Sequence, residues 1–240
     1  MNSVIETILS HRSIRKFTSQ KIPAPMLESI IQSGIAASSS SLFQAVSIVR
    51  ITDMEKRAAL ATLAGNQPYV ASAAEFLVFI IDYARHHALK EDLQTDFTEL
   101  MLIGAVDAGI MAQNCLLAAE SLGLGGVYIG GLRNSTKEVH ELLSLPKNTA
   151  VLFGMCLGFP DQTPELKPRL PADVILHENS YQPLDQTKIA EYDETMHEYY
   201  RSRSSNTKSE GWSEPVTNKL SSESRPHILP YLNSQGLAKR

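Results

Sequence analysis

One stretch limits the fold of this chain more than any other. Residues 99–122 are rich in Ala, Leu and Met and are apolar on more than one face when wound as a helix. A helix that is apolar most of the way round is buried. In a chain of 240 residues it must therefore form either the middle of a domain or the interface between two subunits. Gly104, Ala105, Ala108, Gly109 and Ala112 supply the small residues that let another backbone approach closely.

The rest of the chain supplies partners for that helix. Residues 75–82 (Glu-Phe-Leu-Val-Phe-Ile-Ile-Asp) are apolar, aromatic and β-branched, the composition of a fully buried central strand. Residues 45–51 and 150–158 read as further strands, and a shorter one follows Gly125. Helices are expected at 4–10, 24–37, 53–64 and 136–144, from apolar spacing of three and four residues. Ser38 to Ser41 lie between a helix and a strand and read as a tight polar loop. Buried strands interleaved with helices give a layered α+β or α/β fold. After residue 185 the composition turns polar. A helix is expected at 189–200, a mobile loop near 201–211 rich in Ser, Arg and Lys, and a last helix around 215–222. We read residues 1–240 as a single domain in which 185–240 forms a C-terminal excursion with little core of its own.

Two basic clusters stand out in a chain whose net charge is −4. His11-Arg12-Ser13-Ile14-Arg15-Lys16-Phe17 packs four basic-type side chains and a hydroxyl into seven residues, and Lys167-Pro168-Arg169 sits among prolines 164, 168 and 171. Several donors converging from one side suit a dianionic phosphate, whereas either cluster alone could equally be a solvated surface. Together with a glycine-rich turn they suggest one anionic cofactor gripped from several loops. The glycines of 123–131 do not form a dinucleotide fingerprint: Tyr128 occupies the position of the third glycine, and the order is helix, glycines, strand rather than strand, glycines, helix. The first group reads as a helix stop. Gly130-Gly131 at a strand end reads either as a plain turn or as a place where backbone N–H groups approach a ligand.

Other chemistries lack their residues. The acidic balance gives no bulk attraction to nucleic acid or to an anionic membrane. No uninterrupted apolar run reaches the roughly 20 residues that span a bilayer, and the first residues do not resemble a signal peptide. Cys115 and Cys156 lie singly in apolar runs and read as reduced core residues of a cytoplasmic protein. His86-His87 are adjacent and point apart on a helix, and His177-Glu178 lacks a second histidine, so no metal site is expected. No Gly-x-Ser-x-Gly elbow and no phosphate-binding loop of the Walker type is present.

These stretches, taken in order, resemble the flavin-dependent nitroreductase superfamily and, within it, the NADPH-preferring branch. That branch holds the oxygen-insensitive nitroreductases and the NADPH–flavin oxidoreductases that supply reduced FMN to bacterial luciferase. The matching segments are His11 to Arg15, Ser38 to Ser41, Gly65-Asn66-Gln67, Ala118 to Gly131, Leu166 to Pro171 and Glu223 to Pro226. They span nearly the whole chain, with no departure at the cofactor motifs. The segment Pro226 to Arg240 is most similar to the flavin oxidoreductases.

The resemblance implies an α+β fold with a central, mainly antiparallel sheet surrounded by helices, assembled as an intertwined homodimer with one tightly bound FMN per subunit at the interface. It assigns the FMN phosphate to His11, Arg12, Ser13, Lys167 and Arg169. Charge-assisted bonds of this kind contribute about 1.5–3 kcal/mol each. Arg15 and Gln67 would face the pyrimidine end of the flavin, where a cation stabilises the reduced form. The Gly130 amide would address N5, and Ile14, Ser39, Tyr69, Tyr128, Ile129, Gly131 and Pro168 would complete the pocket. No residue is assigned as acid or base. Arg203, with Lys208 and Arg225, would sense the 2′-phosphate of NADPH. The implied activity is ping-pong hydride transfer from NADPH to FMN and on to free flavin. A nitroaromatic or quinone reductase is the alternative acceptor reading, and a non-catalytic FMN carrier or sensor is the distant one. Luciferase is a possible recipient of the reduced flavin.

Overall fold

The computed structural model describes residues 2–203 and 210–240. By contacts the chain groups into two compact units, residues 1–164 with 225–240, and residues 165–224.

The first unit is built on a four-stranded antiparallel sheet of order β1-β2-β4-β3, where β1 is Val46–Arg50, β2 Glu75–Asp82, β3 Gly125–Ile129 and β4 Thr149–Gly158. Strand β2 is the hinge of the architecture because its side chains alternate strictly between two cores. Leu77, Phe79 and Ile81 enter one apolar cluster, and Phe76, Val78 and Ile80 enter the other, as a two-residue period requires. Both faces of the sheet are therefore covered, and the continuous apolar run of 76–81 follows from that.

The first core is closed by helices α2 (Ala24–Ile35) and α6 (Thr98–Ser121). Tyr231, Leu232 and Leu237, in or just after the last helix, complete it. Prolines 23 and 25 start α2 with φ already helical, and Gly123, at φ +82°, ends α6. The second core is covered by α3 (Met54–Leu63), α4 (Tyr69–Ser72) and α7 (Thr136–Leu142). Asp53 starts α3 by accepting the Glu55 and Lys56 amides at 2.9 and 3.1 Å. The short helices α1 (Ser3–Leu9) and α5 (Ala84–Leu89) have no buried residues. Both cysteines lie in the cores, and burial pushes the thiols of Cys115 and Cys156 up to about 11 and 12.

A bulge interrupts the β2–β4 ladder. Phe79 pairs with Phe153 but Ile80 pairs with Val151, so Leu152 has no partner across the strand. The extra residue resets the alternation of β4, which is why Ala150 and Leu152 share a face with Met155 and Leu157.

Helix α6 is long and apolar enough to cross a membrane by length and composition alone. In the fold, Gly104, Asp107, Ala108, Ala112, Cys115, Leu116 and Ala119 are buried, while Leu102, Val106 and Ile110 are 56%, 58% and 41% exposed. Its sequence is apolar on both sides, and one chain covers only one of them.

The second unit comprises α8 (Ala172–Ile175), α9 (Gln186–Ser202) and α10 (Ser213–Leu220). Asp185 caps α9 through the Thr187 and Lys188 amides. The Tyr192 ring stands edge-on to Trp212 with centroids 5.8 Å apart, and the Tyr192 hydroxyl donates to the Pro168 carbonyl at 3.1 Å. The contact boundary falls at 164/165 rather than at 185, and residues 225–240, with α11 (Ile228–Ser234), group with the first unit. The composition change at 185 marks where the polar helix starts, not where contacts thin out.

Candidate functional site

The basic stretch after α1 is held by backbone bonds rather than by its charges. The Ile14 amide donates to the Gly126 carbonyl at 2.9 Å and the Thr18 amide to the Phe159 carbonyl at 2.9 Å, with a bridge between Phe17 and Pro160. Ile14 is 4% exposed and fills the space above Gly125, where a methyl carbon would come within 2.5 Å of it. The loop is thereby pinned across the ends of β3 and β4, and its side chains project from a fixed backbone. Arg12 donates to the carbonyls of Ser10 (3.2 Å) and Pro164 (3.0 Å). Both partners are neutral carbonyls. Arg15 is exposed, and its backbone amide donates to Gln162 Oε1 at 3.4 Å. His11 differs. Its Nδ1 lies 2.5 Å from the Glu120 carboxylate on α6, so a protonated ring there is already balanced by a negative charge.

A second group is assembled where α3 and α4 meet the end of β3. Gln67 donates through Nε2 to the Ala64 carbonyl at 2.6 Å, and its Oε1 accepts from the Tyr69 hydroxyl at 2.6 Å. Both ends of the amide are thus fixed. Buried Arg57 braces the same turn by donating to the carbonyls of Val70 (3.2 Å) and Ala73 (2.6 Å). Gly131 packs directly on this turn. A methyl carbon there would overlap the Ala64 carbonyl oxygen and lie 2.5 Å from Gln67 Nε2. Gly130 is free of such contact, its nearest neighbour being Arg133 Nη2 at 3.4 Å from where a methyl would sit. Of the glycine pair, one is a packing requirement and the other leaves its backbone open. Ile129 is buried, and Tyr128 is 37% exposed, its ring edge-on to Phe153 and its hydroxyl 3.2 Å from Gln113.

Arg133 stands beside Gly130 without having been singled out in the sequence. It comes from the 3-10 turn Gly130–Ser135, and its Nη1 donates to the Leu152 carbonyl, the group left unpaired by the β4 bulge. Its pKa is lowered by burial and then by the charge of Arg225. Arg225 is oriented by two bonds to Asn134 Oδ1, at 3.0 and 2.9 Å. Arg133 thus stands beside Gly130 with the charge of Arg225 acting on it, and positive potential of this kind favours an anionic or electron-rich ligand. A lone Arg in a turn gives no sequence signal, and neither does a bulge.

Ser39 is engaged elsewhere. Its hydroxyl donates to Asp107 on α6 at 2.7 Å, in the loop Ser39–Gln44. A cavity of about 670 Å³ bordered by His140, Tyr231 and Gln235 contains none of the predicted site residues.

In the second unit, Lys167 lies over the Tyr200 ring at 5.6 Å and Arg203 over the Tyr199 ring at 5.6 Å, the two rings being 5.3 Å apart. The end of α9 thus gathers two cations on adjacent aromatic faces. Arg169 donates to the carbonyls of Lys167 and Pro168. Lys208 lies outside the described residues, and Arg225 belongs to the first unit.

The chain matches known proteins along its length. Residues 8–159 match the nitroreductase family and residues 167–240 match the nitroreductase family C-terminal domain. The chain is 69% identical to the NADPH-flavin oxidoreductase of Vibrio harveyi and 51% identical to the oxygen-insensitive NADPH nitroreductase of Salmonella typhimurium, in each case over the full length of both. The solved structure of the Vibrio harveyi NADPH:FMN oxidoreductase complexed with NAD+ superposes with a TM-score of 0.95 at 67% identity, over all of both chains.

Proposed function

The chain belongs to the nitroreductase family, and from that membership we propose that it is an FMN-dependent NADPH oxidoreductase that delivers electrons to free flavin. The observation that carries this reading is identity of 69% over the full length to a protein named NADPH-flavin oxidoreductase. Reduction of nitroaromatics or quinones is the second reading, favoured by the 51% identity to an oxygen-insensitive NADPH nitroreductase.

The donor set fits FMN. Arg12 and Arg169 donate to carbonyls, neutral partners that suit a guanidinium also serving a phosphate, with the Ser13 hydroxyl and Lys167 as further donors. His11 joins them in this assignment, oriented by Glu120. Gln67 is locked by Tyr69 and Ala64, which suits a fixed contact to a flavin edge, and the open backbone at Gly130 suits a close approach to the ring. FMN, when bound, would supply the two-electron redox chemistry that links NADPH to the acceptor. The protein's part is to bind, orient and supply positive potential through Arg15, Arg133 and Arg225. Arg203, steadied over Tyr199, is assigned to the 2′-phosphate of NADPH, with Lys208 and Arg225 assisting.

The same reading makes residues 1–240 one FMN-binding domain with a C-terminal excursion, working as a homodimer. The exposed row Leu102, Val106 and Ile110 on α6, together with Val4, Ile5, Ile8 and Leu9 exposed on α1, supports burial against a second copy. A cytoplasmic location and release of reduced flavin to a consumer such as a luciferase go with it. The test is steady-state NADPH oxidation with free FMN and with a nitrofuran as competing acceptors. Faster turnover with FMN supports the flavin reductase, faster turnover with nitrofuran supports the second reading, and no turnover with either refutes both.

A further inference from the structure

We infer that Asp107 is a positioning residue for FMN, which holds the Ser39–Gln44 loop in a left-handed conformation and so fixes Ser39. The inference rests on the reading that Ser39 contributes to the FMN pocket.

Asp107 interrupts the apolar face of α6 and is 5% exposed. A buried carboxylate is costly unless its oxygens are satisfied, and no ion pair to it is found among the described residues. Its oxygens are used by one loop. Oδ2 accepts the Ser39 hydroxyl at 2.7 Å, and Oδ1 accepts the Ser40 amide at 3.3 Å. The Ser39 Oγ in turn accepts the Gln44 amide at 2.8 Å, so a short relay runs from the loop's far end through Ser39 to Asp107.

That relay has work to do. Ser41, Leu42 and Gln44 have φ of +48°, +56° and +51°, a region that side-chain-bearing residues rarely adopt, and strain of this kind persists only where surrounding structure enforces it. Apolar packing within one subunit does not enforce it, because Leu42 is 73% and Phe43 38% exposed. Hydrogen bonds do. The second end of the loop is tied by Arg85 Nη1 to the Gln44 carbonyl and by His86 Nε2 at the Phe43 carbonyl, both at 2.8 Å. The first end depends on Asp107.

The chemistry of the pair is specific. An ionised carboxylate accepts at both oxygens, so it can take a hydroxyl and an amide N–H together. Asparagine has one acceptor oxygen, so taking the Ser40 amide would turn its NH2 toward Ser39 Oγ and reverse the direction of that bond. The Ser39 proton is committed to Asp107, which leaves the hydroxyl facing a ligand as an acceptor.

The experiment measures FMN affinity of the full-length apoprotein by fluorescence titration, for Asp107→Asn, Ser39→Ala and the double variant, alongside melting of the apo and FMN-loaded forms. Asp107→Asn is expected to weaken FMN binding by about tenfold or more, the weight of a charge-assisted hydrogen bond. The double variant should bind no worse than the weaker single variant, because both act through one contact. Unchanged FMN affinity in Asp107→Asn with a weakened Ser39→Ala overturns the inference alone. Unchanged affinity in Ser39→Ala removes the FMN reading of Ser39 and the inference with it. Additive losses overturn the inference as well, since they mean separate routes. If Asp107→Asn does not fold, Asp107→Glu replaces it. The longer carboxylate keeps both acceptors but displaces the loop, so weaker FMN binding at an unchanged apo melting point is expected, and wild-type affinity overturns the inference.

Discussion

Two adjacent glycines should respond oppositely to the same small substitution. A methyl group at Gly131 would overlap the Ala64 carbonyl oxygen and lie 2.5 Å from Gln67 Nε2, roughly 1 Å short of an ordinary van der Waals separation. Neither neighbour can move freely, because Ala64 ends α3 and Gln67 is fixed at both ends of its amide. Overpacking of this kind costs about 1–3 kcal/mol, which in a chain of this size lowers the melting point by roughly 2–12 °C. Displacing Gln67 also disturbs its bond to Ala64, worth about 0.5–1.5 kcal/mol, so FMN should bind about 2- to 12-fold more weakly. At Gly130 the nearest atom to an added methyl is Arg133 Nη2 at 3.4 Å, the tip of a long side chain. Gly130→Ala should therefore melt within about 0.5 kcal/mol of the parent. Melting of the apoproteins and fluorescence titration with FMN measure both effects. If Gly131→Ala is as stable and binds FMN as tightly as the parent, the packing of the 3-10 turn on the Gln67 turn is not what the geometry implies.

Three other perturbations follow from named contacts. Arg203→Ala should raise the KM for NADPH with much less effect on NADH, and Tyr199→Leu, which removes the aromatic face beneath Arg203, should reproduce about 2- to 5-fold of it; equal losses for both nucleotides would contradict the assignment. Asp193 accepts the Trp212 and Ser213 amides at 2.6 and 2.8 Å. Partial burial raises its pKa, but the bonds from Ser213 and Trp212 and the charge of His197 outweigh that and hold it below the ordinary 3.8. The stability it contributes is thus present above about pH 4 and lost as pH falls through the lower folded value. Fluorescence of Trp212, the single tryptophan, should change over that acid range in the parent, and Asp193→Asn should show the changed emission already at neutral pH; identical acid profiles would remove Asp193 as the cause. Finally, Val106→Glu puts a charge into the exposed row on α6 and should shift sedimentation from dimer to monomer, whereas an unchanged sedimentation coefficient would exclude that face from the interface.

Much of the fold was legible because its signals are local and repetitive. The run of 75–82 announced a strand covered on both faces, and 99–122 announced a buried helix without deciding between the middle of a domain and an interface. In the fold one side is buried and Leu102, Val106 and Ile110 are exposed on the other. The basic stretch and the glycine pair were visible as residue types. What they lean on was not. Glu120 meets His11 across more than a hundred residues, and the β4 bulge that engages Arg133 leaves no mark in composition. The tyrosines beneath Lys167 and Arg203 looked like ordinary members of a polar helix. Asp107 did leave a signal, a single carboxylate inside an apolar helix, which has to find partners if it is buried. The contact boundary at residue 165 leaves no mark in composition, which changes twenty residues later, at the start of α9.

Whether this protein carries FMN and reduces it with NADPH is read from an anaerobic NADPH titration of the purified protein, followed by its visible spectrum. One equivalent of NADPH per subunit should bleach the flavin absorbance, and added FMN or nitrofuran should restore it. A yellow protein whose spectrum does not change on adding NADPH would contradict the account and leave a flavin carrier in its place.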